Sequence, residues 1–477
     1  MSASAVVGAA RSGIAAAAAP QQISAHFYRG GTSRGLFLRT QDFAAYNSRQ
    51  RDAIICAASS PDPDGRQISG LGGGVSSLSK CAIIGSPGEG ISPFYPAFPG
   101  HRHIDDVEKS KDPRNGWDVV YRFGQVPIQG TEIDWGSTCG NLVAAAAMFA
   151  IDSGSITQNT LEAFAKEPKG SYDGMYPMRI IAANSGNIVT AHIPLHRIQS
   201  RSLPDYGPNT APSHSIHHFL QAARTGTARI AGVPGSYAPI SIETPLPDRA
   251  SILPSGSARN QINVAFDDGR STAIDVSLVD CGLPVIFVSA ASLLIPLDLL
   301  MAHPAELDAH ALTMRLLEAV RREGAKLSEK VWTNFSPSAP KVCIVHPRTV
   351  YKSSGGDQVD QRDMDLLVRS ISVGNVHRTI PATTLSAVAA ASAFVGSVVD
   401  EAIALGRLIS ASPAPASQAK SQGKKDVQSV TVGQPAGLST ASVTLGMAGE
   451  PVGIVYMRTA NRIMHGWVDV PPSQCLS

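Results

Sequence analysis

The sequence GSTCGNLVAAAAMFAID, residues 136–152, joins a short polar turn to an Ala-rich, apolar helix predicted over residues 142–151. A second stretch, residues 372–402, has the same layout: a turn at residues 374–378 opens another Ala-rich helix. Strand-like segments flank both helices without a regular βαβ alternation, which favours an α+β fold over a dinucleotide-binding fold. The repeat therefore predicts two pseudo-symmetric halves, each a β-sheet around one central helix, with both helix N-termini directed at a shared cleft.

Working outward from these helices, we divide the chain of 477 residues into a tail and two halves. Residues 1–24 are rich in Ala and Ser and are predicted as a flexible tail, with a mitochondrial presequence as the alternative. Residues 25–200 form the N-terminal half and residues 201–455 the C-terminal half. Residues 42–58 and 304–324 are predicted helices, 88–115 a surface insertion and 410–426 a disordered insertion.

Composition excludes several classes of protein. The net charge is +2, which argues against a nucleic-acid binder. Residues 283–301 are apolar but contain Pro284, Pro296 and Asp298, so we expect a buried strand, a turn and a helix start and no membrane span. The six cysteines are scattered without a CxxC pair, which predicts no metal site, a reducing compartment and a cytoplasmic location.

The strongest chemical candidate is Cys139, followed by Gly140 and Asn141 at the predicted helix start. The helix dipole there lowers a thiol pKa and favours the thiolate. Gly140 allows close backbone approach to an anion, and Asn141 can cap the helix or bind a carboxylate. The alternative is a small buried residue that only begins the helix.

Lys80 is the second candidate because apolar residues follow it directly, in Cys81-Ala82-Ile83-Ile84. A lysine beside apolar surface is more easily deprotonated and can act as a base. The alternative is an exposed lysine at the end of a strand or helix.

Carboxylate binding is predicted where turns offer backbone N–H groups, hydroxyls and cations. The alternative at each place is a tight turn with no ligand. The predicted substrate-binding residues are Arg29, Thr32, Ser33, Gly73, Gly74, Ser76, Ser77, Gly140, Asn141, His377, Arg378 and Thr379.

Six motifs in order resemble one family. They are RGGTSRG (29–35), GLGGGVSSLSK (70–80), TCGN (138–141), VPG (233–235), DCGLP (280–284) and RTANR (458–462). Together they are similar to the PrpF-like family of 2-methylaconitate isomerases, over about residues 26–472. The resemblance implies the diaminopimelate-epimerase fold, with the active site between the halves and a returning last strand, residues 456–472, in the first half.

The resemblance also implies cofactor-free isomerisation of small unsaturated carboxylates, with Lys80 and Cys139 as the acid/base pair. The second catalytic cysteine of the epimerases would fall near His377, where this chain has none, which disfavours an amino-acid racemase.

The insertions and Ala-rich composition are similar to fungal members, among which is the aconitate Δ-isomerase of itaconate biosynthesis. We therefore expect conversion of cis-aconitate to trans-aconitate, by removal of an allylic proton and reprotonation elsewhere. The alternatives are 2-methylaconitate cis-trans isomerase, 4-oxalomesaconate tautomerase and, in another class, a non-catalytic carboxylate-binding protein.

Overall fold

The computed structural model describes residues 21–87, 111–112, 116–136, 138–166, 174–200, 217–265, 269, 271–410 and 426–471. The predicted tail, apart from residues 21–24, lies outside these residues. The insertion predicted at 88–115 also lies outside them except for residues 111 and 112, as does 411–425 of the insertion predicted at 410–426.

Strands are the most numerous regular elements of the described chain. They are β1 (Gln22–Gly30), β2 (Ser33–Arg39), β3 (Lys80–Gly85), β4 (Val119–Gln125), β5 (Met175–Ala182), β6 (Asn187–Ser200), β7 (His217–Ala222), β8 (Ile240–Pro245), β9 (Asn260–Ala265), β10 (Ser271–Asp280), β11 (Pro284–Ser289), β12 (Lys341–Pro347), β13 (Tyr351–Lys352), β14 (Gln358–Val359), β15 (Leu366–Ser372), β16 (Asn375–Val376), β17 (Val427–Gln434), β18 (Gly437–Leu445), β19 (Pro451–Arg458) and β20 (Ala460–Asp469).

The helices are fewer and mostly short. They are α1 (Ser48–Ser59), α2 (Gly140–Asp152), α3 (Gln158–Lys166), α4 (Arg249–Ile252), α5 (Leu297–Met301), α6 (Pro304–Ala309), α7 (Ala311–Ala325), α8 (Glu329–Thr333), α9 (Ala382–Ser392) and α10 (Val398–Ser410).

The strand pairings repeat between the two halves. From β1 through β2, β3, β4 and β5 to β6, the pairs alternate antiparallel and parallel, beginning and ending antiparallel. From β10 through β11, β12, β15 and β17 to β18, the same alternation recurs. Strand β20 returns from the chain end to pair with β1, and β9 pairs with β10 in the equivalent place. Strands β8 and β19 join the halves.

Each half wraps its sheet around one central helix, so the expected pseudo-symmetric α+β architecture is confirmed. Helix α2 packs against β1–β8 and β20, and α9 packs against β10, β11 and β17–β19. All residues of α2 after Gly140 are buried, which an Ala-rich helix permits because its methyl groups let strands approach on every side. The division at residues 25–200 and 201–455 stays a prediction about domain boundaries.

The N-termini of the two central helices meet between the halves. A Cβ atom placed on Gly140 would lie 3.0 Å from the Cβ of Ala382, the first residue of α9, and 2.8 Å from Oη of Tyr456 on β19. The two helices can approach each other this closely because residue 140 is a glycine and has no side chain.

Gly140→Ala is expected to destabilise the fold by about 1–3 kcal/mol, because the added methyl group displaces Tyr456 or α9. Urea unfolding followed by circular dichroism measures the change. The control is Gly355→Ala, where the nearest atom lies 3.6 Å from the added carbon. Equal unfolding midpoints for the two variants would contradict the close approach of the helices.

Three helical predictions need correction. The helix predicted over 42–58 begins only at Ser48, because Asn47 forms a capping box with Gln50; a 3₁₀ turn precedes it. The helix predicted over 304–324 is two helices, because the backbone leaves the helical region at His310, whose ring accepts from the N–H of Thr313. The helix predicted after residue 378 begins at Ala382, with Pro381 as its N-cap.

The apolar segment 283–301 forms β11 and, after a turn, the short helix α5, as the expected strand, turn and helix start require. Within the described part of the chain, no helix is both long and apolar enough to cross a membrane. Five of the cysteines, residues 56, 81, 139, 281 and 343, are described, and all five are buried free thiols. A cytoplasmic location stays a prediction.

Candidate active site

Cys139 is the N-cap residue of α2. Its side chain is buried, and its Sγ lies 4.0 Å from Oγ of Ser33 at the start of β2. The backbone oxygen of Cys139 accepts a hydrogen bond of 3.2 Å from the Tyr121 hydroxyl. The thiol thus sits at the positive end of a buried helix dipole.

Lys80 is the first residue of β3, and its half-buried amine extends into the same region. Its Nζ donates to Oε1 of Gln125 and lies 5.0 Å from the centre of the Phe123 ring. Burial lowers the pKa of Lys80, while negative charge on Cys139 acts in the opposite direction. The amine is therefore easier to deprotonate than a lysine in water, and it stands close enough to Cys139 to feel its charge.

Gln125 fixes where the Lys80 amine can point. Its Nε2 donates to the backbone oxygens of Ser76 at 3.0 Å and Ser79 at 2.8 Å, so its Oε1 faces Lys80. The Gln125 amide thus links the Lys80 amine to the loop of residues 76–79.

The second half contributes Lys341 and His377 to the same electrostatic environment. Burial, then the charge of Lys80, lowers the pKa of Lys341 to about 8. Burial and the charges of Lys341 and Lys80 lower the pKa of His377 to about 3, so its imidazole is neutral at pH 7. Its Nε2 is buried without a hydrogen-bond partner among the described residues. The Lys80 and Lys341 amines therefore act on each other and on the neutral His377 imidazole, and Cys139 acts on both amines.

A hydrogen-bond network lies on the other side of the turn between β1 and β2. Thr379 Oγ1 donates to Thr32 Oγ1 at 2.9 Å, and Asn141 Nδ2 donates to the same atom at 3.2 Å. Nε of the buried Arg458 donates to Asn141 Oδ1 at 2.9 Å. These four side chains line a cavity of about 170 Å³ and connect the two halves across it.

Several predicted binding residues are held by the protein itself. Arg29 Nη1 donates to the backbone oxygens of Gly31 and Thr459, each at 2.9 Å, and the guanidinium stacks on Tyr237. The N–H groups of Gly73 and Gly74 donate to Ser79 and Gln67, within their own loop.

Other predicted residues lie at the edge of the cleft. Ser76 and Ser77 are half-buried beside Lys80, and their backbone oxygens accept from Gln125 and Arg34. Arg378 is exposed, and its Nη1 lies 3.4 Å from Nε2 of His303. The structure thus gathers Lys80, Cys139, Ser33 and His377 and leaves the Arg378 guanidinium outside the group.

A larger cavity of about 550 Å³ lies in the second half, with an apolar lining that includes Met314, Phe335 and Val342. None of the predicted site residues lines it. Among the described residues, no three His, Cys, Asp or Glu side chains converge as a metal site.

Sequence reasoning missed Gln125, Lys341 and Tyr456. Nothing in the sequence around Gln125 marks it. Lys341 had a signal, since KCAII at residues 80–84 and KVCIV at residues 341–345 begin equivalent strands of the two halves. Aligning the halves strand by strand would have paired the two lysines.

Comparisons with known proteins agree with this architecture. The PrpF protein family matches residues 21–90, 103–205 and 219–471. The 2-methyl-aconitate isomerase of Shewanella oneidensis is 28% identical over 468 residues, covering 94% of this chain and 97% of that protein. The 3-methylitaconate isomerase of Eubacterium barkeri is 27% identical, covering 93% of this chain and 95% of that protein.

A solved structure extends the likeness to three dimensions. The crystal structure of methylitaconate-delta-isomerase matches with a TM-score of 0.61 at 26% identity, covering 96% of this chain and 97% of that one. The match to the family model includes both central helices and both strands that begin with a lysine. With both halves of the fold inside the matched residues, the chain belongs to the PrpF family.

Proposed function

We propose that the protein is a cofactor-independent isomerase of small unsaturated tricarboxylates, with 2-methylaconitate as its first candidate substrate. The observation that supports the proposal is that Cys139, at the N-terminus of α2 where it meets α9, acts electrostatically on the Lys80 amine. The relatives named as 2-methyl-aconitate and 3-methylitaconate isomerases support the substrate class.

The reaction needs one group to remove an allylic proton and one to return a proton at another carbon. When the proton leaves, negative charge spreads through the double bond onto a carboxylate as a dienolate. Lys80 and Cys139 are the proposed proton-transfer pair. The lowered pKa of Lys80 suits a base near neutral pH, and the helix terminus suits Cys139 to hold or return a proton.

The developing charge needs hydrogen-bond donors that are already in place. The first-turn amides of α2 at Gly140 and Asn141 have no intrahelical partner because the helix begins there. Each well-placed donor contributes about 3 kcal/mol to the transition state. Ser33, whose Oγ lies 4.0 Å from Sγ of Cys139, is the side-chain donor that we propose beside the thiol.

A substrate panel tests the proposal. We expect turnover of 2-methylaconitate, followed by proton NMR in D₂O, with deuterium entering the allylic carbon of the product. cis-Aconitate, which lacks one methyl group, is the second substrate; its conversion to trans-aconitate stays a prediction. A pocket distinguishes such a pair by about 1–3 kcal/mol, so the ratio of kcat/KM identifies the preferred substrate.

4-Oxalomesaconate completes the panel, since a relative in Novosphingobium carries the name (4E)-oxalomesaconate Delta-isomerase. Binding of these acids without any deuterium exchange would replace the isomerase by the carboxylate-binding alternative. If the protein neither binds these acids nor exchanges their protons for deuterium, the proposed substrate class is overturned.

A further inference from the structure

Lys341 occupies the position in the second half that Lys80 occupies in the first. Each lysine is the first residue of its strand, β12 or β3. Each strand pairs in parallel with the strand before it in the sheet, β11 or β2, and antiparallel with the one after it. The pseudo-symmetry therefore directs two amines at the same cleft from opposite halves.

The Lys341 side chain is buried and unpaired. The residue is 8% exposed, and its ammonium forms no hydrogen bond or ion pair with any residue in the described ranges. The groups that act on it are Lys80, whose charge repels it, and Cys139, where a negative charge would attract it. The neighbouring His377 is neutral and offers no countercharge.

Burying a cation without a partner is unfavourable for folding, since burial reduces its hydration and no opposite charge compensates for the loss. Such a group is stabilised when an anion enters the site. The cleft holds the proton-transfer pair, so the anion that reaches Lys341 is part of the molecule on which that pair acts.

We propose that Lys341 binds a carboxylate of the substrate across the cleft from Lys80 and Cys139. The inference rests on the proposed function and deepens it, because the substrate must then carry a carboxylate on the far side of its reacting carbons. A tricarboxylate meets that requirement, whereas a monocarboxylate bound through the first half leaves Lys341 unpaired.

Propane-1,2,3-tricarboxylate is the probe, since it carries three carboxylates and has no allylic proton. Isothermal titration calorimetry at pH 7 compares the wild type with Lys341→Met, and Lys341→Gln serves as a second variant. We expect the Kd to rise by about 10- to 100-fold in both variants, the range for losing a charged hydrogen bond. Lys352→Met, which removes an exposed amine of the same half, should leave the Kd unchanged.

Thermal unfolding distinguishes a ligand-binding lysine from a purely structural one. Removing a purely structural lysine would lower the melting temperature, whereas removing an unpaired buried charge should raise it. Without ligand, Lys341→Met should unfold at a higher temperature than the wild type, because it removes an unpaired buried charge. With propane-1,2,3-tricarboxylate, the wild type should gain more stability than the variant. A lower melting temperature combined with an unchanged Kd would overturn the inference.

The two proposals fail separately. Turnover of 2-methylaconitate by the wild type, with equal Kd values in wild type and Lys341→Met, would overturn the role of Lys341 and keep the isomerase. Loss of binding in Lys341→Met, with no turnover or deuterium exchange in the wild type, would support carboxylate binding by Lys341 and overturn the isomerase activity. A wild type that binds no propane-1,2,3-tricarboxylate would directly contradict carboxylate binding by Lys341.

Discussion

Lys80→Met is expected to lower kcat for 2-methylaconitate by about 10²- to 10⁴-fold, the usual contribution of one positioned proton-transfer group. Methionine keeps an unbranched side chain and removes the amine, whose Nζ lies over the Phe123 ring. Gln125, which accepts from Lys80, stays anchored to the loop through Ser76 and Ser79, so the cleft should keep its shape.

The pH profile separates a lost proton-transfer group from a distorted site. If the neutral amine of Lys80 is the base, kcat/KM rises with pH up to the pKa of Lys80, which burial holds below its ordinary value. Lys80→Met should remove that rise and not merely lower the whole curve. The measurement is initial rate by NMR between pH 6 and pH 10.

The control for Lys80 is Lys166→Met. Lys166 is the last residue of α3, a helix that packs against β7. It should retain wild-type kcat. Urea unfolding of Lys80→Met checks that the fold is intact. Near-wild-type turnover by a folded Lys80→Met variant would remove Lys80 from the mechanism.

The architecture could be predicted from the sequence because the features that indicate it lie in short, continuous stretches of the chain. The two Ala-rich helices are apolar throughout, and the turns that precede them contain the small residues that close packing requires. The boundaries failed where a single side chain decides them. Asn47 and His310 each cap a helix inside a stretch that periodicity treats as continuous.

The candidate site could be proposed from the sequence at Lys80 and Cys139, which stand in recognisable motifs, and their catalytic roles stay predictions. It was not predictable where a residue acts through tertiary position. Gln125 ends a strand with ordinary composition, and only the pairing of β3 with β4 brings it opposite Lys80. Arg29 Nη1 donates to the backbone oxygens of Gly31 and Thr459, contacts that the sequence does not reveal, and its carboxylate-binding role stays a prediction.

Cys139→Ala is expected to lower kcat by a similar factor of about 10²- to 10⁴-fold, because it removes the second proton-transfer group. The thiol is buried against Ser33 at the start of α2, and alanine preserves the helix start, whose cap uses no side-chain hydrogen bond at this position. Stability should therefore change little while turnover collapses.

Cys139→Ser separates the thiol's acidity from its size. Serine restores a hydroxyl of nearly the same volume, but its proton is far less acidic, so activity should stay close to that of Cys139→Ala. Cys56→Ala is the matched control, since it removes another buried thiol, one that donates to Thr131 on the far side of the N-terminal half. Full activity in Cys139→Ser would show that any hydroxyl-sized donor suffices at residue 139, and the thiolate would then have no part in the proton transfer.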